Sequence, residues 1–252
     1  MSGMSSATEH PFGVDFGGSG IKGAPVDLDR GDFAAERVRI ATPEPSTPEN
    51  VAAVLADLLT QFPDMQGAVG VTVPGSVRRG TVHSAANIDA AWVGADADAL
   101  FTHATGRAVR VLNDADAAGL AEVRYGAARG RDGLVIVTTL GTGIGSAMLY
   151  DGVLVPNSEL GHLELDGHVA EQRAANSVRE SKDLSMEKRA ERLTAYYRHL
   201  ERLFSPDLFV VGGGISKRAD EFLPMVDIDT QIVPALLRNK AGIIGAALHA
   251  SG

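Results

Sequence analysis

Asn113-Asp114 stands where an apolar run, residues 108–112, gives way to small helix-forming residues that continue to Tyr125. That pattern reads as a buried strand feeding a helix, which puts the Asp114 carboxylate at a strand-to-helix junction, where α/β proteins gather ligands. On these residues alone two roles stay open: a helix cap, or a carboxylate kept ionised by the helix N-terminus for use as a base. Three glycine-rich turns weigh toward chemistry. Gly17-Gly18-Ser19-Gly20 and Gly141-Thr142-Gly143-Ile144-Gly145 each follow a strand pattern, and Gly212-Gly213-Gly214 ends another. Without side chains, successive backbone N–H groups come close to phosphate oxygens. A bound phosphate calls for an acceptor hydroxyl and a group to orient it, so the set reads as phosphoryl transfer.

The elements that must carry these residues follow from periodicity. Residues 12–28 read as strand, glycine hairpin, strand. Gly18-Ser19-Gly20-Ile21-Lys22-Gly23 formally matches the dinucleotide fingerprint, but that motif needs a helix directly after it. Pro25, Asp27, Asp29 and Gly31 give strand and turn chemistry instead, and no Walker-type Gly-Lys-Ser/Thr exists. A surface connection with Pro43, Pro45 and Pro48 leads to a helix over 49–59, a strand over 68–73 and a short ribbon over 77–83. A loop over 87–92 holds Trp92, the single tryptophan, and a helix covers 96–104. After a basic loop with Arg129 and Arg131, a strand over 134–139, the second glycine hairpin and a strand over 146–150 repeat the opening device. Two copies of one phosphate-loop arrangement point to two lobes facing a cleft. A polar helix over 169–180 and a longer one over 186–204 follow. The longer helix bears a stripe of Leu193, Tyr196, Tyr197, Leu200, Leu203 and Phe204, read as core or dimer surface. A strand over 208–211, a short helix beginning at Lys217 and a closing helix of small residues over 242–250 complete the chain.

Composition excludes several classes. At 252 residues with 44% apolar and 22% charged content, the chain fits one large soluble domain or two lobes. It has no cysteine, so disulfides, thiolate metal sites and sulfur redox chemistry are out. No apolar run reaches the roughly eighteen residues of a membrane span, and residues 1–10 lack the layout of a signal peptide, so the cytoplasm is the expected location. A formal charge of −9 argues against general nucleic-acid binding. A polyanion would need a local basic track, drawn from Lys22, Arg78, Arg79, Arg124, Arg129, Arg131, Lys217 and Arg218.

Five motifs in order resemble the ROK family of sugar kinases, and within it the polyphosphate glucokinases, over nearly the whole chain. They are 14–23 and 140–145 for phosphate, Asn113-Asp114-Ala115 for catalysis, Glu159-Leu160-Gly161-His162 for sugar, and 211–217 for the donor edge. The resemblance implies an α/β, actin-like ATPase (ribonuclease H-like) fold with two lobes: 11–113 plus 241–252, and 114–240. Typical members carry a cysteine-rich zinc motif after the Glu-x-Gly-His segment, so no zinc is expected here. The segment that replaces it, with Arg173-Ala174-Ala175-Asn176-Ser177-Val178-Arg179, resembles the polyphosphate-using branch. Repressor members carry an N-terminal DNA-binding domain, which the roughly ten residues before the first strand do not accommodate.

The resemblance also implies roles. Asp114 takes the proton of a sugar 6-hydroxyl. Asn87, Asn113, Glu159, His162 and Glu171 contact the sugar with Asp114, and Asp89 and Trp92 shape the wall. Gly17, Gly18, Ser19, Gly20, Lys22, Gly141, Thr142, Gly143, Gly145, Gly213, Gly214 and Lys217 hold the phosphate donor, and Asp15 holds Mg2+ through water. The expected activity moves a terminal phosphoryl group from inorganic polyphosphate, and from ATP, to glucose and also mannose, in a homodimer. The rival readings are an ATP-only hexose or amino-sugar kinase of the same family and a non-catalytic sugar-binding regulator.

Overall fold

The computed structural model describes residues 10–252, which leaves the expectation about a targeting signal outside it except at His10. The chain forms two compact units, one running to Ala117 and including Gly242–Gly252, the other Ala118–Ala241. The first division therefore falls after Ala117 rather than after Asn113.

In the first unit β1 (Phe12–Gly17) and β2 (Gly20–Asp27) make an antiparallel hairpin closed by the Gly17–Gly20 pair. The short strands β3 (Asp32–Phe33) and β4 (Val38–Ile40) both pair with β2. Helix α1 (Pro48–Thr60) starts where the Thr47 hydroxyl accepts the Asn50 amide at 3.3 Å, with proline in the first turn. β5 (Val69–Val73) lies parallel to β1, and a ribbon of β6 (Val77–Arg78) and β7 (Thr81–Val82) follows. Helix α2 (Ala97–Thr105) is capped by Asp96 and ends at Gly106. β8 (Val109–Asn113) runs parallel to β5 and passes directly into α3 (Asp114–Tyr125). The sheet order is β3-β2-β1-β5-β8. The C-terminal helix, Ala241–Ala250, lies so close to this sheet that a Cβ at Gly13 or Gly70 would sit 1.8 Å from the Ile243 or Ala246 carbonyl oxygen.

Trp92 belongs to the core of this unit and corrects the expectation of a sugar wall. It is fully buried, with ring centroids 5.4 Å from Phe16 and 5.7 Å from Phe101, and its indole N–H donates to the Ser46 carbonyl at 2.8 Å. Burial of an aromatic ring this size contributes on the order of 3 kcal/mol, and the satisfied N–H removes the usual cost. Asp89 takes the Ala91 amide at 2.8 Å and so shapes the turn beside Trp92.

The second unit repeats the scheme. β9 (Leu134–Leu140) and β10 (Ile144–Tyr150) are antiparallel, and β11 (Val153–Val155) returns through Asp151-Gly152, both at positive φ as a tight hairpin requires. A ribbon of β12 (Glu164–Leu165) and β13 (His168–Val169) precedes α4 (Glu171–Ala174), α5 (Asn176–Ser181) and α6 (Met186–Phe204). β14 (Leu208–Gly212) and β15 (Ile232–Pro234) extend the sheet in parallel, giving the order β11-β10-β9-β14-β15. Each unit thus joins an antiparallel hairpin to further parallel strands, the arrangement of ribonuclease H-like halves.

Three expectations change. The single helix over 169–180 is two short ones, broken where Ala175 is extended at φ −61°, ψ 157°. The α6 stripe is core along Leu193, Tyr196, Tyr197 and Leu200, with the Tyr197 ring tilted 4.9 Å from that of Phe209, whereas Leu203 is 52% exposed. That buried face is unavailable to a second copy. The helix expected to begin at Lys217 is a 3-10 segment that already starts at Gly214.

Candidate active site

Parallel pairing brings the carboxyl ends of β1, β5 and β8 into line, with Asp15 beside Thr72 and Val73 beside Asn113. Asp15 pairs across the hairpin with Lys22, whose ammonium lies 3.2 Å from Asp15 Oδ2, while the Thr72 hydroxyl donates to Oδ1 at 3.3 Å. Thr72, which periodicity marks only as a buried strand residue, also accepts the Phe16 amide at 3.2 Å.

At the end of β8 the two neighbours divide their work. Asn113 is 7% exposed; its Oδ1 accepts the Ala115 and Asp116 amides at 2.8 and 3.1 Å, and its Nδ2 donates to the Gly75 carbonyl at 3.1 Å. Asn113 therefore caps α3, and one hydrogen of its amide is left over from these contacts. Asp114, the first residue of the helix, is exposed, with Oδ1 2.9 Å from the Ala115 amide. The cap role left open for Asp114 belongs chiefly to the residue before it.

The first glycine hairpin also lies in this unit. Its Gly17 carbonyl accepts the Thr42 hydroxyl at 2.6 Å, and its Ser19 carbonyl accepts Arg39 Nη2 at 3.0 Å. Asn87 is exposed at φ 60°, and its backbone oxygen would lie 3.1 Å from a Cβ on Gly18, so the expected sugar residue stands over the hairpin.

In the second unit the segment 158–162 is bolted to β10. The Ser146 hydroxyl donates to the Ser158 carbonyl at 2.5 Å and accepts the Leu160 amide at 2.9 Å. This anchoring brings Glu159, His162 and Glu171 into one electrostatic group. His162 Nε2 is 3.6 Å from Glu171 Oε1. Burial pushes the Glu159 carboxyl above the ordinary carboxylic range, the His162 ring pulls it back, and the Glu171 carboxylate adds to the rise. Glu171 Oε2 accepts the Ile144 amide at 3.2 Å, so this carboxylate also ends the second glycine hairpin. At the hairpin tip the Thr142 carbonyl accepts the Ser177 hydroxyl at 2.6 Å and the Gly141 carbonyl accepts the Ser177 amide at 3.2 Å. Gly145 continues from the tip into β10, paired with Thr139.

The third glycine turn adjoins the second, because Gly212 of β14 pairs with Thr139 of β9. Gly213 takes φ 82° and its carbonyl accepts the Ser216 hydroxyl at 2.9 Å, while Gly214 and Lys217 are exposed. Arg218 pairs with Glu221, with both guanidinium contacts at 2.6 Å. Nothing in the sequence marks Thr42, Arg39 or Ser177 as holding a hairpin carbonyl, since a side chain that reaches a carbonyl far along the chain leaves no local pattern.

Residues 11–176 match the model of the ROK family. A polyphosphate glucokinase from Mycobacterium tuberculosis (strain CDC 1551 / Oshkosh) is 49% identical over 240 residues, spanning 95% of this chain and 90% of the relative. The crystal structure of an inorganic polyphosphate/ATP-glucomannokinase from Arthrobacter sp. strain KM superposes with a TM-score of 0.92 at 54% identity, over 97% of this chain and 99% of that one. A ROK family glucokinase from Streptomyces griseus, in complex with glucose and AMPPNP, gives a TM-score of 0.82 at 26% identity, over 96% of this chain and 99% of that one.

Proposed function

The chain belongs to the ROK family, and on that premise we propose that it transfers the terminal phosphoryl group of inorganic polyphosphate, and of ATP, to the 6-hydroxyl of glucose. The observation that carries this reading is the exposed Asp114 carboxylate on a helix whose capping is done by Asn113. The helix N-terminus favours its ionised form, which makes it a mild base. A loose phosphoryl-transfer transition state asks more for orientation of the hydroxyl than for proton affinity.

In this reading Glu159, His162 and Glu171 hold the ring hydroxyls, with Asn87 and the remaining Asn113 hydrogen as further sugar contacts. Gly17, Gly18, Ser19 and Gly20 with Lys22, and Gly141, Thr142, Gly143 and Gly145, hold donor phosphates. Gly213, Gly214 and Lys217 receive the remainder of the donor, whether further phosphates or a nucleoside. Asp15 fits magnesium held through water: both its oxygens already accept hydrogen bonds, and magnesium keeps much of its hydration beside phosphates. Bound there, the ion would neutralise phosphate charge. The proposal extends to mannose, which differs from glucose at C2 and is named in the glucomannokinase match. It also includes a cytoplasmic location and a homodimer, formed through a surface other than the buried face of α6. Among the described residues no helix is long and apolar enough to cross a membrane.

Initial rates with polyphosphate and ATP at matched phosphate, on glucose and mannose, test the reading. Transfer to glucose from polyphosphate is the expected result. Transfer from ATP alone would leave the ATP-only kinase, and glucose binding with no product from either donor would leave the regulator.

A further inference from the structure

The two phosphate hairpins share a device outside their own sequences. In each, a hydroxyl from a distant segment donates to a tip carbonyl at 2.6 Å: Thr42 to Gly17 in the first, Ser177 to Thr142 in the second. The other tip carbonyls of the second hairpin are engaged as well, Gly141 by the Ser177 amide at 3.2 Å and Gly143 by the Gly141 amide at 3.0 Å. The amides show the opposite pattern. Among the described residues, Thr142 and Gly143 N–H have no acceptor, nor do Gly18 and Ser19 N–H.

Peptide planarity connects these facts. The carbonyl of one residue and the amide of the next belong to one rigid unit and point in opposite directions. Holding the Gly17 carbonyl therefore aims the Gly18 N–H, and holding the Gly141 and Thr142 carbonyls aims the Thr142 and Gly143 N–H groups. The flanking glycines would otherwise let these units turn over at little cost and present a carbonyl oxygen to an anion.

Resting on the reading of both hairpins as donor sites, we infer that Thr42 and Ser177 are positioning residues. Thr42 fixes the Gly17–Gly18 peptide unit and Ser177 the units at the tip of the second hairpin, so that these units turn N–H donors rather than carbonyl oxygens toward phosphate. Neither hydroxyl needs to touch the donor. The segment 171–177 gains a purpose from this: its Glu171 holds the Ile144 amide at the base of the hairpin while its Ser177 holds the tip.

The test compares Thr42→Val and Ser177→Ala with the conservative Thr42→Ser and Ser177→Thr, which keep a hydroxyl. For the first two, the KM for polyphosphate and for ATP rises about two- to tenfold, the effect of one lost hydrogen bond. kcat changes less, the glucose Kd by calorimetry is unchanged, and the conservative variants recover most of the donor KM. An active wild-type enzyme whose four variants share its donor KM overturns the inference. So does a rise in glucose Kd equal to the rise in donor KM, which would mark general loosening. Calorimetry with tripolyphosphate separates this inference from the proposed activity. With an inactive wild type, binding that Ser177→Ala weakens upholds the positioning role alone, and no binding to the wild type ends both. Each hairpin is read separately, so a variant that fails to fold leaves the other to decide.

Discussion

The Asn113 carboxamide oxygen accepts the Ala115 and Asp116 amides at 2.8 and 3.1 Å, immediately before Asp114, whose carboxylate stands exposed on the first turn of α3. The same side chain reaches back to the Gly75 carbonyl at 3.1 Å and so ties the helix start to the turn after β5. One buried amide thus sets both the direction of the helix and the place of the carboxylate next to it.

Replacing that amide should lower stability and turnover together. Asn113→Ala removes a cap and leaves the Gly75 carbonyl without its donor, a loss of about 1–2 kcal/mol. Asn113→Ser keeps a capping oxygen but cannot reach Gly75, and should fall between the two. Urea denaturation reads the stability, and kcat on glucose reads the displaced carboxylate.

Glu159 should trade stability for sugar binding. Its folded-state pKa lies above the ordinary value, so the folded protein holds this proton more tightly than the unfolded chain. Stability therefore falls as pH rises from the ordinary carboxylic range through the raised value, and the cost is full above it. Glu159→Gln should raise Tm slightly at neutral pH, the effect kept small by partial solvent screening. The gain should vanish at acid pH, where both forms are neutral. Glucose affinity should drop in the same variant.

Two glycines of the second hairpin, separated by Thr142, should respond differently. A Cβ at Gly141 meets nothing within 4 Å, whereas one at Gly143 would lie 2.4 Å from Glu171 Oε2. Gly143→Ala must push Glu171 off the Ile144 amide and away from His162. It should lower kcat/KM for both donor and sugar by about tenfold or more, the scale of a misplaced binding group. Gly141→Ala disturbs no neighbour in the fold but puts a methyl into the space the donor takes in this reading, so it should raise the donor KM and leave the glucose Kd near wild type. Steady-state kinetics on the pair decides it.

Basic residues near the third glycine turn should not contribute equally. Lys217 is exposed and has no ion-pair partner among the described residues, while Arg218 is held by Glu221 at 2.6 Å. Lys217→Ala should raise the polyphosphate KM more than Arg218→Ala does. Added salt should raise that KM steeply, as counterion release predicts for a polyanion, with a shallower slope in the Lys217 variant.

Much of this was legible from residue types. The glycine hairpins between β1 and β2 and between β9 and β10, the β8–α3 junction and the extent of α6 follow from periodicity and turn chemistry, because local pattern and tertiary packing agree there. The polar stretch after His168 misled. Its composition favours one helix, but Ser177 is drawn to the Gly141 and Thr142 carbonyls, and the chain extends at Ala175 to reach them. Trp92 differs for another reason: the resemblance put it in a sugar wall, yet its ring fills the space between Phe16 and Phe101. The hydroxyls of Thr42 and Ser177 were invisible because their partners lie 25 and 35 residues away in the chain.

The most direct test is kcat for phosphoryl transfer from polyphosphate to glucose by Asp114→Asn, with glucose binding measured on the same sample. The carboxamide keeps the size of the side chain and removes its charge. A fall of about a hundredfold or more with glucose still bound is the predicted result. Turnover equal to wild type would take Asp114 out of the chemistry and contradict the account.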